Sequence, residues 1–208
     1  MKLLAFSGKK QSGKTTAVDD IMKRVKGSVS VSFADYLKKI VCNCFNATDA
    51  QVNGSYKNKM ELLDCNWTSR EILQTIGTNW FRSIDPDCWV NAYKHELESL
   101  VDTFEDIIPG SFDEGLILTP DVRFPNEVNC IQEMGGHVIR FLRNPYDDKH
   151  ESETALNGVE WDTGDMLAHP DQGFPELVHF DTLVDNCDMT VDEQNEYVWN
   201  LINEKEWI

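Results

Sequence analysis

The sequence predicts a three-layer α/β fold, about five parallel strands with helices on both faces. Three observations predict it. An apolar strand, KLLAFSG (2–8), runs into a glycine-rich loop and then into a segment with helical spacing. Strand-like and helix-like segments then alternate along most of the chain. The third is size: 208 residues, 41% hydrophobic and 10% aromatic, suffice for one domain with a sizeable core and argue against disorder.

After the first strand, TTAVDDIMKRVKG (15–27) carries Ala17, Ile21, Met22 and Val25 at helical spacing and closes on Gly27. VSVSFA (29–34) alternates and is β-branched, so it reads as the second strand. ADYLKKIVCNCF (34–45) follows as a helix, and the polar residues 46–68 read as loop or short helical pieces. TSREILQTIGTNWFR (68–82) is helical, with Thr68 or Ser69 and Glu71 as its start signal. Asp85-Pro86 opens the helix 87–101, and 103–115 reads as an acidic surface turn. GLILTPDVRF (115–124) is a third strand, PNEVNCIQEMGG (125–136) a helix with proline at its first turn, and HVIRFLR (137–143) a fourth strand. Residues 144–180 are rich in Asp, Pro, Gly and His and too long for a passive connection. DTLVDN (181–186) is the fifth strand and 191–207 the closing helix. A ligand is expected at the C-terminal ends of such strands.

The loop is Gly8-Lys9-Lys10-Gln11-Ser12-Gly13-Lys14-Thr15-Thr16, which fits G-x-x-x-x-G-K-[ST] between a strand and a helix. A polyphosphate needs many N–H donors at short range, and Gly8 and Gly13 permit the turn that supplies them. Lys10, Ser12, Thr15 and Thr16 belong to the same cradle. Lys14 is placed to reach the β- and γ-phosphates of a nucleoside triphosphate, and the Thr15 hydroxyl to ligate Mg²⁺.

The net charge of −17 is uneven: residues 1–60 carry 11 Lys+Arg against 4 Asp+Glu, and the other 148 carry 8 against 32. So acidic a body disfavours nucleic acid and anionic membrane as partners, and with them a DNA-acting ATPase. No apolar run approaches the ~20 residues that span a bilayer. Six cysteines without a C-x-x-C pair suit reduced thiols, so the expected location is cytoplasmic.

In an acidic body each basic residue invites a question, and phosphoryl transfer to a phosphorylated acceptor is largely charge neutralisation and alignment. Arg123 lies directly after the third strand with Asp121 beside it, where a carboxylate could hold the Mg²⁺ water shell or orient the acceptor. Arg143 ends the fourth strand and opens the long polar segment, as a lid arginine would. Arg70, Gln74 and Gly77 share one helix face. Arg82 and Arg140 read as solvated ion pairs, Arg140 on the face opposite its apolar neighbours.

GKKQSGKTT, SFADYLKKI, REILQTIGTNWFRSIDPDCWV, PDVRFPNEVNCIQEMGGHVIRFLR and HESETAL, in that order from Met1 to about Leu156, resemble the deoxynucleoside monophosphate kinases of tailed bacteriophages. DTLVDNCDMTVDE (181–193) resembles their last strand and helix start. The resemblance implies a nucleoside monophosphate kinase-like fold with a phosphate loop, one domain over 1–208, a helical acceptor-binding insertion at 46–101 and a lid region at 143–180. It implies Mg²⁺-dependent transfer from ATP to a deoxynucleoside monophosphate, in host cytoplasm if phage-encoded, and homodimers are common in the family. Lys14, Asp121, Arg123 and Arg143 would serve catalysis. Asp35, Lys38, Arg70, Gln74, Gly77, Thr78, Trp89, Arg123 and Glu153 would meet the acceptor, although Lys38 reads equally as an exposed helix lysine and Trp89 as core; Trp80 and Trp89 would suit a flat base. His150 and Glu153 match a family run; they could position lid and phosphate or cap a helix. Residues 157–180 exceed the short link expected there. After Arg143 the lid offers only Lys149 and His150, so part of its basic role falls to Lys9 or Lys10. A kinase for another phosphorylated metabolite and a non-catalytic nucleotide-binding module remain open as alternatives.

Overall fold

A computed structural model describes residues 1–53, 66–107, 115–146, 149–157 and 179–208. The Asn53-Gly54 turn beyond residue 53, Cys65, and most of the long 157–180 segment lie outside the described residues. The chain forms two compact units, one of residues 1–31 and 99–208, the other of 32–98.

The first unit is built on a five-stranded, all-parallel sheet in the order β2-β3-β1-β4-β5. Its strands are β1 (Lys2–Ser7), β2 (Val29–Ser30), β3 (Leu116–Val122), β4 (His137–Phe141) and β5 (Thr182–Val184). Helices α1 (Lys14–Arg24) and α9 (Val191–Glu204) share one core with the sheet, in which Leu4 and Phe6 of β1 meet Val18, Ile21, Val198 and Ile202. Alternate strand residues face the other way. Leu3 accordingly lies beside Ile131 of α7 (Pro125–Glu133), which packs on β1 and β4. Both faces are therefore covered, and the strands read as near-continuous apolar runs.

The second unit is helical: α2 (Asp35–Phe45), α3 (Asp49–Asn53), α4 (Ser69–Gln74), a π-helical stretch Thr75–Phe81, α5 (Arg82–Ile84) and the first part of α6 (Cys88–Ile107). Leu37, Val41, Val52, Ile72, Ile76 and Trp89 form its core. Thr68 caps α4 in a capping box with Glu71, which resolves the start signal in favour of Thr68.

Three expectations change. The second strand ends at Ser30 and not at residue 34, because the Asp35 carboxylate accepts the Ser32 N–H at 2.8 Å and begins α2. The helix expected over 68–82 turns π-helical at Thr75. The acidic stretch after Val101 continues α6 to Ile107; residues 108–114 lie outside the described residues. A small α8 (Glu151–Thr154) is capped by His150, whose Nδ1 accepts the Ser152 N–H at 3.2 Å.

Candidate active site

The phosphate loop leaves β1 at its C-terminal end, and sheet register fixes what flanks it. Ser7 is level with Val122 of β3 on one side and Arg140 of β4 on the other. Asp121 and Arg123 thus border one side of the loop, and Arg140 borders the other. Gly8 and Gly13 have φ of 146° and 102°, a region closed to most side chains. A Cβ on Gly13 would sit 2.1 Å from the Gln194 Oε1. Lys14 folds back over the loop, its Nζ donating to the Gly8 and Lys9 carbonyls, each at 2.7 Å.

The α1 N-terminus has Gly13 as its cap residue, no side-chain cap and no acidic residue in its first turn. Its first N–H groups and dipole are available to an anion. Thr15 is exposed there, Thr16 half-buried and Ser12 fully buried. By contrast α9 has a capping box, Thr190 with Glu193.

Two amides hold the far end of the loop. Asn186, fully buried just after β5, donates from Nδ2 to the Ser12 carbonyl and to Gln194 Oε1, both at 2.6 Å. Gln194, 1% exposed on α9, donates to the Gly13 carbonyl at 3.2 Å. Asn186 also accepts the Arg143 N–H at 3.0 Å, and the Arg143 guanidinium donates to the Asn186 and Met189 carbonyls.

The near end is held by charge. Glu153, buried on α8, accepts the Lys10 N–H at 2.8 Å through Oε2 and Arg123 through Oε1. Burial pushes its carboxyl up, but the Arg123 charge and hydrogen bond, the Lys10 N–H and Lys14 together hold it below the ordinary carboxylate value. Burial pushes the Lys14 ammonium down to about 7, with Arg123 adding to the effect. Lys10 places its ammonium 5.5 Å from the Tyr146 ring centre.

Arg140 corrects the surface reading. It is 8% exposed and donates to Ser7 Oγ at 2.8 Å, and burial lowers its pKa to about 10. A sheet covered on both faces has no solvent side for that arginine to reach. Arg82 stays on the surface side of its unit, bonded to the Pro86 carbonyl at 2.9 Å.

The residues expected to meet the acceptor lie, apart from Arg123 and Glu153, in the second unit. Lys38 pairs with Asp35 at 3.0 Å. Arg70 and Gln74 lie half-buried on α4, while Gly77 and Thr78 are buried in the π-helical stretch. A Cβ on Gly77 would come within 2.5 Å of Leu37, so that backbone packs directly on α2. Trp89 is 6% exposed in the helical core, donating its indole N–H to the Gly77 carbonyl at 2.7 Å. Trp80 is 62% exposed. The five described cysteines are free. No helix among the described residues is long and apolar enough to cross a membrane.

An all-parallel sheet with a phosphate loop after β1, and cations at the ends of both neighbouring strands, defines a protein of the P-loop kinase fold. The family model described as deoxynucleotide monophosphate kinase matches residues 53–179. A protein of Acanthamoeba polyphaga mimivirus that carries a provisional deoxynucleotide monophosphate kinase name is 34% identical over 169 residues, 77% of this chain and 84% of that relative. The chain belongs to the deoxynucleotide monophosphate kinase family, a family of kinases.

Proposed function

We propose that this protein transfers the γ-phosphoryl group of ATP to a deoxynucleoside monophosphate, giving the diphosphate and ADP for DNA precursor supply. The observation that carries the reading is the cluster of buried Lys14 and Arg140 with half-buried Arg123 beside a glycine-rich loop that runs into the uncapped N-terminus of α1. Family membership supplies the acceptor class.

In this reading the loop N–H groups, the α1 N-terminus and Lys14 hold the β- and γ-phosphates. An acceptor phosphate oxygen attacks the γ-phosphorus as the bond to the β,γ-bridging oxygen breaks, and ADP leaves with that electron pair. Arg123 and Arg140 offset charge on the two sides of the loop, and Lys38 and Arg70 serve the acceptor with Asp35, Gln74, Gly77, Thr78 and Trp89. Arg143, bonded to two carbonyls after β5, reaches the transferring group only by exchanging them, with 143–180 acting as lid and 46–101 as acceptor insertion.

One exposed hydroxyl, Thr15, and one half-buried carboxylate, Asp121, fit a Mg²⁺ that arrives with the triphosphate and keeps several waters. When bound, that ion screens the phosphate oxygens as charge moves to the leaving group.

The test is product analysis by anion-exchange chromatography with ATP, Mg²⁺ and each nucleoside monophosphate in turn. A diphosphate is expected from at least one deoxynucleotide, and Lys14→Ala should lower turnover about 10²–10³-fold. ATP bound with no acceptor phosphorylated would overturn the reading.

A further inference from the structure

Glu153 is a buried carboxylate docked on the phosphate loop itself, its side chain 2% exposed. Its partners are a loop N–H and an arginine, the two kinds of group that proteins use to hold phosphate. The docking is reinforced on both sides of that carboxylate. Lys9 donates to the Glu153 carbonyl and to Asn157 Oδ1, and Arg123 reaches the Ser152 carbonyl at 3.3 Å. Lys14 and Arg140 lie close enough for their charges to be felt, and Asp121 acts on the same Lys14. A pair of donors that already holds one carboxylate suits another oxyanion.

We infer that the Glu153 carboxylate stands where a phosphoryl group of the nucleotide goes, and that nucleotide displaces it as it binds. The inference rests on the loop's holding a polyphosphate, as proposed above. It assigns the Lys10 N–H and Arg123 as two donors of one oxyanion site, with Glu153 as its resident occupant. Displacement has two effects. It frees Arg123 from its pair at the moment substrate arrives, and it removes the carboxylate contact that helps hold α8 on the loop. Until then the loop is satisfied internally, and the apparent affinity for nucleotide is reduced by the fraction of molecules in which Glu153 is docked.

The test is isothermal titration calorimetry of the full chain with ATP and, separately, with inorganic tripolyphosphate. Glu153→Gln removes the charge at constant shape, and Glu153→Asp keeps the charge but withdraws it by about 1.5 Å, one carbon–carbon bond. Displacement predicts that both variants bind both ligands about tenfold more tightly than wild type. Tightening in Glu153→Gln alone means that the charge acts through space without occupying the site, which overturns the inference. Weaker binding in both variants makes Glu153 a support of the loop and overturns it equally. Equal ATP binding by all three proteins overturns displacement and leaves the ATP reading standing. Wild type that binds tripolyphosphate but not ATP defeats the ATP reading alone, and the tripolyphosphate comparison still decides the displacement.

Discussion

The two units organise their polar residues in different ways. In the first, the polar groups are buried and locked to one another: Ser7, Ser12, Lys14, Arg140, Glu153, Asn186 and Gln194 are each less than 9% exposed, and they fasten the backbone of one loop. In the second, the charged residues are half-buried or exposed and pair with one another across helix surfaces, Lys38 with Asp35 one turn away and Lys39 with Glu96 of α6, on helices held by an apolar core. On the function proposed above the difference fits two tasks: phosphates are the same in every nucleotide and reward a fixed cradle, whereas side chains on helix surfaces suit an acceptor with a base and a sugar.

The fastening of the loop depends most on Asn186. Asn186→Leu removes the partner of the Ser12 carbonyl and of the Arg143 N–H while keeping the volume similar. Urea unfolding should show a loss of about 2–4 kcal/mol. ATP binding should weaken with it, and a loss below about 1 kcal/mol would mean that the amides are not the scaffold. Trp89→Phe sharpens the contrast in the other unit. It removes the indole bond to Gly77 together with part of a ring buried in the helical core, so stability should fall by about 2 kcal/mol. The Michaelis constant for the deoxynucleotide should rise and that for ATP stay level; an equal rise in both would show that the two sets of residues do not act separately.

The smallest effect is a proton. With its folded pKa pushed down to about 7, Lys14 is largely neutral at pH 8, and bound phosphates favour its charged form. Nucleotide binding at pH 8 should therefore take up roughly 0.5–1 proton, read as the dependence of binding enthalpy on the ionisation enthalpy of the buffer. Uptake should vanish in Lys14→Ala. The sign for folding follows the same shift. A lowered lysine pKa costs stability in full below about pH 7, and the cost is relieved as pH rises towards 10.5, the ordinary lysine value.

Legibility in the sequence followed the same division. The loop was readable because its chemistry is backbone chemistry, and only glycine at positions 8 and 13 allows it. The sheet was readable from apolar runs, although the second strand was cut short by one side-chain bond from Asp35 that periodicity does not register. Alternation of Arg140 with Ile139 and Phe141 points to solvent in the sequence, but α7 packs on that strand as well and buries the arginine. Asn186 and Gln194 went unnoticed as supports, yet a signal existed. Gln194 falls four and eight residues before Val198 and Ile202, a polar residue in the buried stripe of α9. The acceptor residues became candidates mainly through resemblance, because half-buried lysines and helix arginines carry no signature of their own.

The amides that fasten Ser12 and Gly13 come from positions 186 and 194, more than 170 residues later in the chain. During synthesis the phosphate motif leaves the ribosome more than 170 residues ahead of the side chains that fasten it. A stalled product ending before residue 186 would carry every residue of the motif and none of that support, so nascent chains should not capture nucleotide prematurely.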